Sequence, residues 1–239
     1  MTQSNDLFEP APITRFPVAG SDKTFPVRRV YCIGRNYAAH AIEMGHDPNK
    51  EPPFFFQKSP DNIIFGDFPY PTETNDVHYE IELIVALSQG GSNIPVETAL
   101  DHVYGYGVGL DMTRRDLQGD AKKLGRPWEV GKSFDKSAPC TALVPASEIG
   151  HPSEGAIWLK VNGETKQDGN TSEMVFSPEE QIEFASDMIS LEPGDVLSTG
   201  TPAGVGHGAG TYLQPGDVVE TEVEGIGAMR NNVVAETGN

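Results

Sequence analysis

The sequence predicts a β-rich α+β fold built on a rolled or barrel-like mixed sheet. Three observations predict it: many short strand signals, long irregular connections between them, and only three credible helices. An internal echo points the same way. Leu191-Glu192-Pro193-Gly194-Asp195-Val196 and Leu213-Gln214-Pro215-Gly216-Asp217-Val218 share one pattern. Pro presets the first central position of a tight turn and Gly tolerates positive φ at the second, so both read as turns into strands, not as a structural repeat.

Taken in order, residues 1–28 are Pro-rich, with short extended pieces at Ile13–Val18 and Phe25–Arg28. They read as an arm or small strand pair ahead of a main body over 29–239. Val30–Gly34 is a short strand. Asn36 reads as the cap of a helix Tyr37–Met44 that Gly45 stops. Residues 45–53, with Gly45, Pro48, Pro52 and Pro53, suit neither helix nor ladder and read as a movable loop. Pro53–Gln57 is an aromatic strand and Val77–Leu87 the clearest strand in the chain. Val103–Leu110, Ala142–Val144, Ala156–Val161, Val196–Thr199 and Val218–Val223 follow. Val96–Leu100 makes one or two helical turns. Met112–Gly125 is a helix, and so is Pro178–Met188, with Ser177 as its cap and Glu180 placed for a capping box.

At 37% hydrophobic residues, 239 residues can bury a sizeable core. No apolar run approaches the roughly 18–20 residues that span a bilayer, and Met1–Pro10 lacks the basic start of a signal peptide, so a cytoplasmic protein is expected. Cys32 and Cys140, the two cysteines, are too few for a disulfide framework or a zinc site and read as small core side chains. Seventeen basic against thirty-five acidic residues leave −18, a charge that repels nucleic acid and anionic membrane. Residues 114–136 run against this, with seven basic and four acidic side chains. That basic island is either a site for a small anion or a solvated helix face.

The strand Val77–Leu87 carries the strongest chemical signal. Side chains alternate faces, so His78, Glu80 and Glu82 share one. Two carboxylates beside an apolar core repel each other unless something positive stands between them, which suits a metal site better than the wet face of an edge strand. Asp111, where the glycine-spaced strand ends, offers a third oxygen, although an aspartate there is by itself most often a helix cap. An all-oxygen set selects Mg²⁺, Mn²⁺ or Ca²⁺. His40 and Glu43 stand at i, i+3 on one helix face, where the carboxylate can orient the imidazole as a base for water, or where the two simply form a surface pair. Arg115 and Gln118 share a helix face and can hold a carboxylate. Lys132 follows the turn at Gly131. The loop Gly200–Gly208 lacks the Lys-Ser/Thr ending of a nucleotide-binding P-loop.

These residues sit in strings that resemble the fumarylacetoacetate hydrolase family, from about Arg29 to Asn232. The strings are Gly34-Arg35-Asn36-Tyr37-Ala38-Ala39-His40, Tyr79-Glu80-Ile81-Glu82-Leu83, Leu110-Asp111-Met112-Thr113 with Arg115-Asp116-Leu117-Gln118, Gly131-Lys132-Ser133-Phe134-Asp135, and Thr199-Gly200-Thr201-Pro202-Ala203-Gly204-Val205-Gly206. The resemblance implies a mixed β-sandwich roll with few short helices, a catalytic domain over 29–239, and a homodimer. It implies a cofactor, Mg²⁺ or Mn²⁺ with Ca²⁺ as a substitute, on Glu80, Glu82 and Asp111. It implies His40 and Glu43 as the water-activating pair, Lys132 as an electrophilic stabiliser, and Arg115, Gln118, Thr201 and Lys58 as substrate contacts. Pro52-Pro53-Phe54-Phe55-Phe56 and Arg126-Pro127-Trp128 are most similar to the bacterial fumarylpyruvate hydrolases, while Lys58-Ser59-Pro60 departs from their Lys-Pro order.

The implied activity is metal-dependent hydrolysis of a carbon–carbon bond in a small dianionic diketo acid, an acylpyruvate. Fumarylpyruvate, split to fumarate and pyruvate in gentisate catabolism, is the leading candidate. The same residues leave open an oxaloacetate decarboxylase or general acylpyruvase, a 2-hydroxydienoate hydratase, and a non-catalytic binding protein for a small dianion.

Overall fold

Leu83, Val85 and Leu87 leave the strand Ile81–Leu87 on one face and Ile84 and Ala86 on the other, and both rows are buried. A strand apolar on both faces must lie inside a sheet covered on both sides. The computed structural model, which describes residues 7–47, 52–206 and 212–235, shows how. Ile81–Leu87 is central in a six-stranded mixed sheet ordered Val144–Pro145, Val103–Leu110, Ile81–Leu87, Asp195–Ser198, Arg29–Ile33, Phe55–Lys58. Only Asp195–Ser198 against Arg29–Ile33 is parallel in it.

A second sheet of five strands runs Glu164–Asn170, Ala156–Val161, Val218–Val223, Gly227–Val234, Phe68–Pro69. Its buried Ile157, Leu159, Val219 and Val223 join Leu83, Val85 and Leu87 in the main core between the sheets. Each such aliphatic side chain stabilises the fold by roughly 1.5–3 kcal/mol. The sheets do not close into a barrel; the fold is the family's β-sandwich roll with few short helices. The opposite face of the first sheet is covered by Phe16, Val18, Phe25 and Val27, from a segment in which Arg15–Pro17 pairs antiparallel with Thr24–Pro26. Cys32 and Cys140 are buried free thiols in that second cluster. Among the described residues no helix is long and apolar enough to cross a membrane.

Both echoed turns form as expected. Gly194 and Gly216 take φ of +94° and +101°, and Asp195 and Asp217 each accept a backbone N–H from three residues back, Glu192 and Gln214. Helix Pro178–Met188 has the expected bounds and the Ser177–Glu180 capping box. Other expectations need correction. Asn36 does not cap the first helix, which spans Ala38–Glu43 with Tyr37 at its N-cap. The buried Asn36 amide instead donates to Phe176 O and Thr199 O and accepts from Phe176 N–H, tying three segments together. The helix expected from Met112 begins only at Arg115, because Thr113–Arg114 pairs with Val77–His78. Ala142–Val144 is replaced by two short pairings, Ala138–Pro139 and Val144–Pro145. The movable loop of residues 45–53 lies partly, at 48–51, outside the described residues.

Candidate metal centre and catalytic cleft

Strand pairing builds the carboxylate cluster. Ile81 faces Leu110 and His78 faces Thr113, one register interrupted at Tyr79 and Glu80, so Glu80 stands opposite Asp111 across the gap. The Asp111 N–H donates to Glu80 O across it at 2.8 Å. Glu82 lies two residues on, facing Gly109. All three carboxylates are buried, and one oxygen of each lies within 4.8 Å of the others.

Two lysines and an arginine hold the set. Lys132 Nζ donates to Glu80 Oε2 and Asp111 Oδ2, both at 2.6 Å, and Arg115 Nη2 donates to Glu80 Oε1 at 2.5 Å. Burial alone would raise the Glu80 carboxyl, but Lys132 and then Arg115 outweigh it and hold Glu80 well below the ordinary range. Burial likewise lowers Lys132, yet Asp111 and Glu80 leave it above its usual value. Among the described residues no cation pairs with Glu82. Ser198 Oγ and the Gly200 N–H donate to its Oε2, at 2.5 and 3.1 Å, while burial and the charges of Asp111 and Glu80 push it up to about 8.

That last shift tests whether a cation fits. One carboxylate of the three is kept protonated near neutral pH by burial and by the charges of the other two, and hard oxygen donors are the set a divalent Mg²⁺, Mn²⁺ or Ca²⁺ takes. The residues fit the ion. Binding must then expel the Glu82 proton, so Mn²⁺ affinity is expected to tighten by about tenfold per pH unit from pH 6 to about 8 and level off above. Calorimetry in buffers of different ionisation enthalpy would register the released proton; an affinity flat over that interval would contradict the assignment. The sign for stability is opposite. A raised folded-state value makes metal-free protein lose stability as pH climbs from the ordinary carboxylate range through about 8.

His40 lines the same cleft as Glu80 and Glu82. Its Nδ1 lies 3.1 Å from Glu43 Oε2, and the Gly204 N–H donates to both Glu43 oxygens at 3.1 and 3.2 Å. Burial raises Glu43, but the hydrogen bonds from His40 and Gly204 more than offset this and leave it below its usual value. An ionised Glu43 accepts the Nδ1 proton, which leaves Nε2 as the basic nitrogen. Gly204 cannot be replaced here, since its φ is +105° and a Cβ would lie 1.9 Å from Lys166 O. Gly204→Ala is expected to cost about 2–4 kcal/mol, from left-handed strain and backbone collision, with a matching fall in urea midpoint. An unchanged midpoint would show that the loop is free to move aside.

Arg115, Gln118, Lys132 and Thr201 also line the cleft. Arg115 Nη1 donates to Gln118 Oε1 at 2.8 Å, and its Nε donates to His78 Nδ1 at 3.1 Å. His78 Nε2 in turn sits 2.8 Å from Asp76 Oδ1. Gln167, from the second sheet, donates to Thr201 Oγ1 and accepts from Ile81 N–H. Lys58, expected as a substrate contact, is buried beside the cluster, where Nζ pairs with Asp111 Oδ1 at 2.9 Å and donates to Met112 O, Lys132 O and Ser137 Oγ. A buried cation next to an unbalanced carboxylate turns to that carboxylate rather than to an open cleft. The Lys58–Asp111 contact lacks hydrogen-bond alignment and is an ion pair only. Gln167, Ser198 and Asp76 join the site with no local signal in the sequence, while Arg35 and Phe54, from the family-like strings, and Lys122, from the basic island, also line the cleft.

This fold and cleft define a class. Residues 29–234 match the model of the fumarylacetoacetate (FAA) hydrolase C-terminal domain, and the chain belongs to that family of enzymes. The chain is similar to the fumarylpyruvate hydrolase of Pseudomonas aeruginosa, whose crystal structure holds Mn²⁺ and pyruvate. The two share 47% identity and a TM-score of 0.93, with 97% of this chain and all of that one covered. It is also 41% identical over 207 residues to the mitochondrial oxaloacetate tautomerase of Mus musculus, covering 86% of this chain and 91% of that protein. The mitochondrial oxaloacetate decarboxylase of Dictyostelium discoideum is 37% identical over 201 residues, 83% of this chain and 90% of that protein.

Proposed function

We propose that this protein hydrolyses the carbon–carbon bond of an acylpyruvate, with fumarylpyruvate, split to fumarate and pyruvate, as its substrate. The observation that carries the reading is one cleft where an oriented His40–Glu43 pair meets a buried cluster of three carboxylates whose oxygens suit a divalent cation. The similar Pseudomonas aeruginosa enzyme, crystallised with Mn²⁺ and one of the expected products, supports it. Glu80, Glu82 and Asp111 would hold Mg²⁺ or Mn²⁺. The bound cation supplies Lewis acidity toward the 2-oxo acid end of the substrate.

The chain's own residues do the rest. Three cations, Lys58, Lys132 and Arg115, stand against three carboxylates, so a divalent ion leaves an excess of positive charge that draws an anionic substrate. Arg115 and Gln118 hold the substrate carboxylate, and Thr201, fixed by Gln167, contacts the same end. His40 Nε2 takes a proton from water as the oxygen attacks the distal carbonyl carbon. Lys132 Nζ donates to the oxyanion that develops there. When the carbon–carbon bond breaks, its electron pair leaves on the pyruvate enolate, and the proton held by His40 returns to the enolate carbon. A homodimer serving aromatic (gentisate) catabolism, which rests on the resemblance, and a cytoplasmic location, which rests on the sequence composition, complete the proposal.

The test is a panel of acylpyruvates with Mg²⁺ or Mn²⁺, followed at the diketone absorbance and by product identification. Absence of pyruvate from every member would reject the reading. A second reading, oxaloacetate tautomerisation or decarboxylation, is favoured by the mouse and Dictyostelium relatives. Enol–keto exchange or CO₂ release from oxaloacetate, faster than pyruvate release from any acylpyruvate, would establish it.

A further inference from the structure

We propose that Lys122, seated over Trp128 on the cleft wall, is the receptor for a second substrate carboxylate, so that the site takes a dicarboxylic 2-oxo acid with a flat carbon chain. This rests on the acylpyruvate reading and names its substrate class.

The order of contacts along the cleft carries the argument. Lys132 sits on Glu80 and Asp111, and its ammonium lies 5.0 Å from the centre of the Phe56 ring. The Phe56 ring is 5.7 Å from Trp128, and Lys122 Nζ lies 4.8 Å over Trp128 on the same cleft wall. The two ammonium groups are thus linked through an aromatic pair, Lys132 paired with the carboxylate cluster and Lys122 over Trp128. Phe54 meets Trp128 edge-on at 5.5 Å and extends the wall. Flat ring surfaces favour a planar conjugated chain over a branched or kinked one.

The charges differ in kind at the two ends. Lys58, Lys132 and Arg115 each have a buried carboxylate partner. Lys123, next in the helix Arg115–Lys123, pairs with Asp120 at the surface. Among the described residues no carboxylate pairs with Lys122. Burial, and then the charge of Arg115, press Lys122 down to about 8, the condition of a cation partly withdrawn from water with no counter-ion. Arg35 lines the same end, its guanidinium 5.0 Å over Phe54, from a backbone at φ +58°. A non-glycine residue in that conformation is strained, and strain of this kind concentrates where a side chain must be aimed. The basic island of residues 114–136 thus splits into surface charge, two buried cations paired with the carboxylate cluster, Arg115 and Lys132, and Lys122 on the cleft wall.

The test compares two probes on the Mn²⁺-loaded protein by calorimetry: oxalate, a short dianion with no distal carboxylate, and 2-oxoadipate, which carries a second carboxylate at the far end of its chain. Lys122→Met keeps the apolar stem over Trp128 and removes the charge. The affinity ratio of 2-oxoadipate to oxalate is expected to fall by at least about tenfold, the usual weight of a charge-assisted hydrogen bond, and Lys122→Arg to recover part of it. A ratio changed by less than about twofold, or an equal loss for both probes, would overturn the subsite and leave Lys122 as packing on Trp128. Binding is read without turnover. A wild-type protein that cleaves no acylpyruvate would therefore defeat the proposed function, while the ratio still decides the subsite.

Discussion

Glu82→Gln is expected to leave the metal-free protein as stable near pH 7 as the wild type, within about 1 kcal/mol, while weakening Mn²⁺ at least about 100-fold. The two halves have one cause. With Glu82 pushed up to about 8, the metal-free protein already carries a neutral carboxyl there, and glutamine reproduces it. The glutamine carbonyl can accept from Ser198 Oγ and the Gly200 N–H as the native oxygen does. What is lost is the negative charge that only a divalent cation calls out. Glu80→Gln should behave otherwise, because Glu80 is ionised and holds both Lys132 and Arg115. Removing that charge leaves Arg115 without a carboxylate and Lys132 with Asp111 alone, at a cost of about 3–5 kcal/mol of stability besides the metal. Urea denaturation and Mn²⁺ calorimetry on both variants separate the cases. A Glu82 variant that keeps wild-type affinity would remove Glu82 from the ligand set, and a Glu80 variant of unchanged stability would contradict the charge balance drawn here.

The contrast shows which parts of the site a sequence carries. Glu80 and Glu82 converge because alternation puts them on one face, and Asp111 joins them because its strand ends opposite Glu80. His40 and Glu43 meet because three residues make nearly one helical turn. Each of these is a local rule. The supporting groups obey none: Ser198 reaches Glu82 across 116 positions, Gly204 reaches Glu43 across 161 and Gln167 reaches Ile81 across 86. Lys58 illustrates the same limit. Its charge is plain in the sequence, but whether it faces substrate or Asp111 depends on a packing 53 positions away. For the fold, the strands with apolar alternation or runs are legible. Glu164–Asn170 and Gly227–Val234 are not, because their largely polar residues give no alternation and they become strands only by pairing with Ala156–Val161 and Val218–Val223.

Glu43→Gln is expected to damage catalysis more than Glu43→Ala, although it is the milder change in shape. His40→Ala sets the scale, with a fall in kcat of about 10³-fold, within the usual weight of a general base, at nearly unchanged KM. The carboxylate accepts the Nδ1–H of His40 and so fixes Nε2 as the base. In a glutamine the carbonyl is drawn to the Gly204 N–H, which donates to both native oxygens, and the amide NH₂ is left facing His40. That group can only donate, so Nδ1 must become the acceptor and the proton moves to Nε2, where it blocks the proton transfer from water. Glu43→Gln should therefore approach the loss of His40→Ala. Glu43→Ala leaves both tautomers accessible and is expected to be about tenfold less impaired. Steady-state kinetics on the three variants, with Mn²⁺ and oxalate affinity as a check on the cleft, decides it. If Glu43→Ala proves as poor as Glu43→Gln, the carboxylate acts through charge or packing and not through the tautomer. If His40→Ala also loses oxalate, the histidine holds ligand and is not the base.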